Sequence, residues 1–122
     1  MKNLIRSFSF AWQGLVYTWR TQANFRLETA IGILALLLSI WLKVDPVPVF
    51  LLILIVLSLE LVNTAIEAVC DLATTNLHPL AKTAKDAAAA AVLLAAIISF
   101  IIGLIIFLPP LVKKINSYGK IS

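Results

Sequence analysis

The sequence predicts an all-helical integral membrane protein of one domain, in which an amphipathic surface helix precedes three membrane-spanning helices. Composition and pattern carry that prediction. Of 122 residues, 61% are hydrophobic and only 13% charged, and the mean hydropathy is +1.02; a soluble domain of this size cannot hide so much apolar surface. Long apolar stretches also recur three times, each extendable to a length that suits a bilayer. The net charge of +4 comes from scattered lysines and arginines rather than a basic face with exposed aromatics. That excludes a nucleic-acid interface and suits anchoring to anionic lipid. The lone Cys70 excludes an intrachain disulfide and a multi-cysteine metal site.

Residues 1–21 form the surface helix. Leu4, Ile5, Phe8, Ala11, Trp12, Leu15, Val16 and Trp19 recur at helical spacing, with Arg6, Ser9, Gln13, Tyr17 and Arg20 between them. Basic ends and tryptophans on an amphipathic helix favour the membrane interface. Arg6 and Gln13 break the early apolar run, so no cleavable signal peptide is expected. A polar break over residues 21–24 follows, with Asn24 as a possible cap.

The first span covers residues 25–43. Its uncharged part, Thr29–Leu42, is short for a bilayer, so the helix must begin near Phe25 and carry Arg26 and Glu28 in its first turns. Those two residues could pair locally or contribute to a site. Trp41 and Lys43 mark the far interface, and Asp45-Pro46-Val47-Pro48 forms a turn into the second span, residues 47–72. A polar loop, Ala73 to Pro79, leads to a surface turn and third span over residues 79–108, of which Ala87–Leu108 is uncharged. Pro109-Pro110 should end that helix, leaving residues 109–122 as an exposed tail. The alanines at 87–91, 95 and 96 permit close approach to the second span and would bring Lys85 and Asp86 towards Glu67 and Asp71.

The second span ends in ELVNTAIEAVCD, Glu60 to Asp71. At about 100° per residue, Asn63, Glu67 and Asp71 fall within roughly 60° of Glu60, spread along about 16 Å of helix. Leu61, Ala65, Ala68 and Leu72 occupy the opposite face. Acids inside a span are costly and mark sites, although a polar seam between subunits would read similarly. With three spans, Lys2, Arg6, Arg20, Arg26, Lys82 and Lys85 lie on one side and Lys43, Lys113, Lys114 and Lys120 on the other. The positive-inside rule favours a cytoplasmic position for the first side, where the acidic face emerges.

Glu28, Glu60, Asn63, Glu67, Asp71, His78, Lys85, Asp86 and Arg26 make an oxygen-rich, histidine-poor set. It suits Mg²⁺ better than Zn²⁺. A carboxylate among like charges suits a general base, and a nearby lysine can meet phosphate oxygens. Metal, base and lysine are the parts of phosphoryl transfer, but spacing alone does not select it. The P-loop pattern is missing: the only Gly-Lys is Gly119-Lys120, without the upstream glycine. No protein-kinase signature is present either. A small cation-coupled multidrug transporter, which would want four spans and an isolated midplane acid, and a non-enzymatic scaffold remain alternatives.

The segment from Glu60 to Asp71, followed by HPLAKTAKD from His78 to Asp86 and the alanine run, closely resembles the prokaryotic diacylglycerol kinase/undecaprenol kinase family. The resemblance extends over nearly the whole chain, Asn24-Phe25-Arg26 included. It implies a homotrimeric bundle of three-span subunits in the plasma membrane, in which ATP, Mg²⁺ and a lipid alcohol meet near the cytoplasmic surface. By that resemblance Glu60 is the catalytic base and Glu67 a metal ligand. Asn63, Asp71 and Arg26 support the site or the substrate. Phe10, Gln22, Glu67, Asn76, Leu77, His78, Lys85 and Asp86 contact ATP. Two positions depart from the family pattern. A second metal-binding glutamate is replaced by Gln22, which leaves Glu28 or the triphosphate to complete the metal shell, and a tyrosine that helps hold adenosine is replaced by Phe10. The family's substrates include diacylglycerol and undecaprenol; both offer a primary hydroxyl on apolar tails, and the sequence leaves the choice open.

Overall fold

The computed structural model describes residues 1–121 (of Ile121 only the backbone) as four helices: α1 Lys2–Thr21, α2 Ala23–Trp41, α3 Pro46–Ala73 and α4 Pro79–Ile121. Among the described residues, α2, α3 and α4 are long and apolar enough to cross a membrane. α1 instead exposes Leu4, Ile5, Phe8 and Trp12 along one side. The observed order matches the expected surface helix and three spans.

The break between α1 and α2 is narrower than the polar stretch suggested. Gln22 alone leaves the helical conformation, with φ −114° and ψ 103°, and no side chain caps either helix there. Asn24 lies inside α2 and caps nothing. What closes the corner is Arg26, whose guanidinium donates to the carbonyls of Trp19 at 2.6 Å and Arg20 at 3.2 Å. A cation thereby satisfies carbonyls that a helix end leaves unpaired. Trp19 also meets the Phe25 ring edge-on, 6.4 Å between centroids.

At the far end of α2 the chain turns in a Schellman arrangement. Val44 N–H donates to Ser39 O and Lys43 N–H to Ile40 O, with Lys43 at φ 57°. Asp45 then caps α3, its carboxylate accepting from Val47 N–H at 3.0 Å, and Pro46 occupies the first helical position. α4 is capped by His78, whose Nδ1 accepts from Leu80 N–H at 3.1 Å, again with proline following. An accepting Nδ1 carries no proton, so the ring N–H is on Nε2.

α3 is the central element: α2 and α4 both pack on it, and α2 and α4 barely touch one another. The α2–α3 seam runs through Phe25, Gly32, Ser39 and Leu42, all buried. Gly32 permits the approach, because a Cβ there would lie 2.9 Å from Ile53 Cγ2. The α4 seam runs through Ala88 and Val92, as the alanine run suggested. Between α2 and α4, floored by α3, lies an apolar groove of about 600 Å³ with Glu28 at one end and Leu111 at the other.

The expected stop at Pro109-Pro110 is not observed. α4 continues through both prolines to Ile121. Each proline lacks the N–H that would bond one turn back, which normally ends or bends a helix. Here the segment beyond them is held to α2: Lys114 donates to Trp41 O at 3.0 Å and its ammonium lies 4.2 Å from the Trp41 ring centroid. That clasp couples a cation to an aromatic face and to a carbonyl at the end of α2.

Candidate active site

Where α3 passes the α1–α2 corner, its acidic face turns inward. Glu60 is 3% exposed, Asn63 7% and Thr64 6%, so α3 buries three consecutive polar positions of one face against its neighbours. Thr64 satisfies itself, its hydroxyl donating to Glu60 O at 3.0 Å. Asn63 Nδ2 donates to Glu67 Oε1 at 3.3 Å, one turn along the helix. Gln22 Nε2 donates to Glu67 Oε2 at 3.4 Å from the corner between α1 and α2. Both oxygens of Glu67 are therefore turned towards neutral amides, at distances long enough for other partners to replace them.

Below this level, Glu28 of α2 and Glu60 of α3 approach one another across the seam. Two buried acceptors in this region, Glu28 Oε2 and Asn63 Oδ1, have no protein partner. Buried polar atoms normally find one, and an orphaned acceptor is unfavourable unless a donor is supplied. A hydroxyl group entering between α2 and α3 would be such a donor.

The opposite flank of Glu67 carries cations. Lys85 Nζ lies 2.6 Å from Asp71 Oδ1, joining α4 to α3, as the alanine packing suggested. Lys82 pairs with Asp86 at 2.6 Å along α4. Both pairs are largely exposed and open to competition from a ligand. Asp86 pairs with Lys82, one turn back, rather than with α3.

Glu60, Asn63 and Glu67 thus form one polar strip along α3, with Gln22 against Glu67 and Glu28 of α2 at the head of the apolar groove; Asp71 and Lys85 pair further along, towards the α3–α4 connection. Asn76 and Leu77 lie in the exposed connection before α4, shaped by Thr74, whose hydroxyl accepts from Asn76 N–H at 3.1 Å. His78 is occupied as a helix cap. Phe10 is 61% exposed on α1, about 18 Å of helix before Gln22. Two contacts differ from expectation. Arg26 binds the end of α1, and no ion pair joins it to Glu28 among the described residues. Glu28 stands beside Glu60 rather than Glu67, whose neighbour is Gln22.

Two features escaped the sequence reading. In the sequence Gln22 reads as a replaced carboxylate and an ATP contact, with no sign of its hydrogen bond to Glu67 from the corner. His78 as a cap was signalled by Pro79, since proline favours the first helical position, but histidine is not among the usual capping types. As a cation site the strip is oxygen-only. No group of three His, Cys, Asp or Glu residues converges to hold a metal alone among the described residues. One or two carboxylates completed by phosphate oxygens is, however, the usual protein share of a Mg²⁺ shell, and Glu67 with the Gln22 carbonyl fits that share.

Comparison with known proteins agrees with this arrangement. A family model described as prokaryotic diacylglycerol kinase matches residues 9–107. A diacylglycerol kinase of Synechocystis is 46% identical over 115 residues, covering 91% of this chain; the chain spans just under two thirds, 66%, of that protein. An undecaprenol kinase of Bacillus subtilis is 46% identical over 114 residues, 91% of this chain and 93% of the relative. A diacylglycerol kinase of Escherichia coli is 38% identical over 102 residues, 81% and 84% respectively. With the polar strip of α3, the three spans and these matches in hand, the chain is a member of the prokaryotic diacylglycerol kinase family.

Proposed function

We propose that the protein is a lipid kinase that moves the γ-phosphoryl group of ATP to the primary hydroxyl of a membrane lipid. Diacylglycerol, giving phosphatidic acid, is the first substrate reading. Undecaprenol, giving undecaprenyl phosphate, is the second, favoured by the equal 46% identity to relatives bearing either name. The observation that carries the proposal is the order of groups along the helices: an apolar groove headed by Glu28, then buried Glu60 and Asn63, then Glu67 with the Lys85–Asp71 pair beyond it. A transporter reading is not supported, since the described residues hold three spans rather than four and the family is one of kinases.

In this mechanism the lipid tail lies in the groove between α2 and α4, and its hydroxyl reaches the level of Glu28, Glu60 and Asn63. Glu28 and Asn63 border the hydroxyl, whose single hydrogen is directed to Glu60. Glu60 takes its proton as the alcohol oxygen attacks the γ-phosphorus and the bond to the β-phosphate oxygen breaks, releasing ADP. Glu67 lies about 10 Å further along α3 towards the surface, and with Gln22 it would hold Mg²⁺, which supplies charge neutralisation on the phosphates. Lys85 leaves Asp71 to meet phosphate oxygens. Asn76, Leu77, His78, Asp86 and Phe10 border the nucleotide, and Arg26 fixes the corner that presents Gln22. Glu28 serves the hydroxyl rather than the metal, which its place beside Glu60 supports.

The site faces the cytoplasm of the plasma membrane on the positive-inside argument, and the active form is a homotrimer. The exposed apolar faces of all three spans are compatible with both lipid and subunit contacts. The test is Mg²⁺-dependent transfer from labelled ATP in mixed micelles, with diacylglycerol and undecaprenol offered separately. Glu60→Gln should lower kcat by about 10²–10⁴-fold while leaving ATP binding intact. Wild-type protein that is folded yet phosphorylates neither lipid would refute the proposal.

A further inference from the structure

We infer that Gly103 sets the length of lipid tail the protein accepts, by keeping open the middle of the groove between α2 and α4. The inference rests on the lipid-kinase reading and adds a specificity determinant to it. Gly103 lines the groove, and a Cβ built on it meets nothing within 4 Å. It therefore differs from Gly32, where a Cβ would collide with Ile53 and the glycine is explained by helix packing. Nothing inside the subunit requires a glycine at 103. Glycine is also the weakest helix former after proline, and Gly103 stands in the middle of α4 in a long uninterrupted apolar run. A position that weakens its helix without improving its packing is explained by the space it leaves.

The level of that space can be placed. Lys85 on α4 meets Asp71 on α3. Counting equally down the two antiparallel helices from that pair reaches Gly103 and Ile53. Ile53 in turn faces Gly32, one turn below Glu28, so Gly103 opens the groove about 6 Å below the carboxylate level. Below it the groove continues another ~12 Å along α4 to Leu111. A side chain at 103 would project into the groove and cut its lower part off from the hydroxyl site. Short tails end near that level, whereas long acyl or prenyl tails must pass it. Filling an apolar pocket discriminates by transition-state binding of the excluded part.

The experiment compares purified wild type, Gly103→Ala and Gly103→Leu with dihexanoylglycerol, dioleoylglycerol and undecaprenol in one micelle system. The readout is the ratio of KM for each long-tailed lipid to KM for dihexanoylglycerol. Gly103→Leu should raise that ratio about tenfold, and Gly103→Ala should fall between. Unchanged ratios, or equal losses on all three lipids, would overturn the inference. So would failure of both variants to fold and assemble by circular dichroism and size-exclusion chromatography, because Gly103 would then serve packing. Inactivity of the folded wild type on every lipid is a different result, and it refutes the kinase reading itself.

Discussion

At the scale of single residues, Glu67 is held between two neutral amides. Its two oxygens accept from Asn63 and Gln22, so both neighbours present N–H groups where a metal would require oxygen. Rotation of the Gln22 amide would offer its carbonyl instead. Replacing that amide by a carboxylate removes the donor and adds a charged ligand. Gln22→Glu should therefore lower the Mn²⁺ or Mg²⁺ concentration for half-saturation several-fold. It should also enlarge the rise in melting temperature on adding metal, because a ligand that binds only the folded state stabilises it. A smaller rise than in the wild type would count against Gln22 and Glu67 sharing a cation. The same residue marks a limit of sequence reading. The type of residue at position 22 was plain, but its partner lies forty-five positions away on another helix, and only packing brings them together. Arg26 is the converse: a nearby acid, Glu28, suggested an ion pair, yet two backbone carbonyls left open by the end of α1 offered better-aligned acceptors.

At the scale of helices, the spans were legible because membrane helices announce themselves by length and hydropathy. Their order and number follow from the sequence alone. Boundaries were less so, since they depend on caps and on contacts made after the helix forms. The polar stretch before α2 shrank to one residue, and α4 passed two prolines that would stop an unsupported helix. Asp45 was the easier case, a standard capping residue followed by proline. Two substitutions test these ends. Lys43 holds a left-handed conformation at φ 57°, which L-residues adopt at a cost of about 1 kcal/mol. Lys43→Gly should raise stability by up to ~1 kcal/mol, seen as a higher midpoint in a detergent-denaturation titration, whereas Lys43→Val should lower it. Gly32→Ala places a methyl against the branched, rotationally stiff Ile53. Overpacking of this kind costs ~1–3 kcal/mol, and the loss should diminish in the Gly32→Ala, Ile53→Ala double variant.

At the scale of the whole molecule, one subunit leaves much apolar surface uncovered. Leu93, Leu94, Ile97, Ile101 and Ile105 of α4 all face outward, as do Ile31, Leu34 and Leu37 of α2. Lipid covers such surface as well as protein does, so exposure alone does not set the number of subunits. Native mass spectrometry from mild detergent should give three times the 13.3 kDa chain mass, and a stable monomer with full activity would refute the homotrimer. The class of molecule and the family resemblance were legible in the chain. The groove was not, because it arises from the gap between α2 and α4, two helices that share no pattern and, apart from the Lys114–Trp41 clasp, are related through α3.

The corner at Gln22 has a mechanical consequence. A single residue joins the helix lying on the bilayer to the first helix crossing it, and the Arg26 clamp removes what slack remains. When a bilayer is thinner or thicker than α2, the helix adjusts by tilting. With so short a linkage that tilt is transmitted to α1, and Gln22 moves relative to Glu67 on α3. Host-lipid thickness becomes an input to the reaction. Turnover measured on one short-chain substrate in phosphatidylcholine vesicles of increasing acyl length should pass through a maximum, and Arg26→Ala, by loosening the linkage, should flatten it.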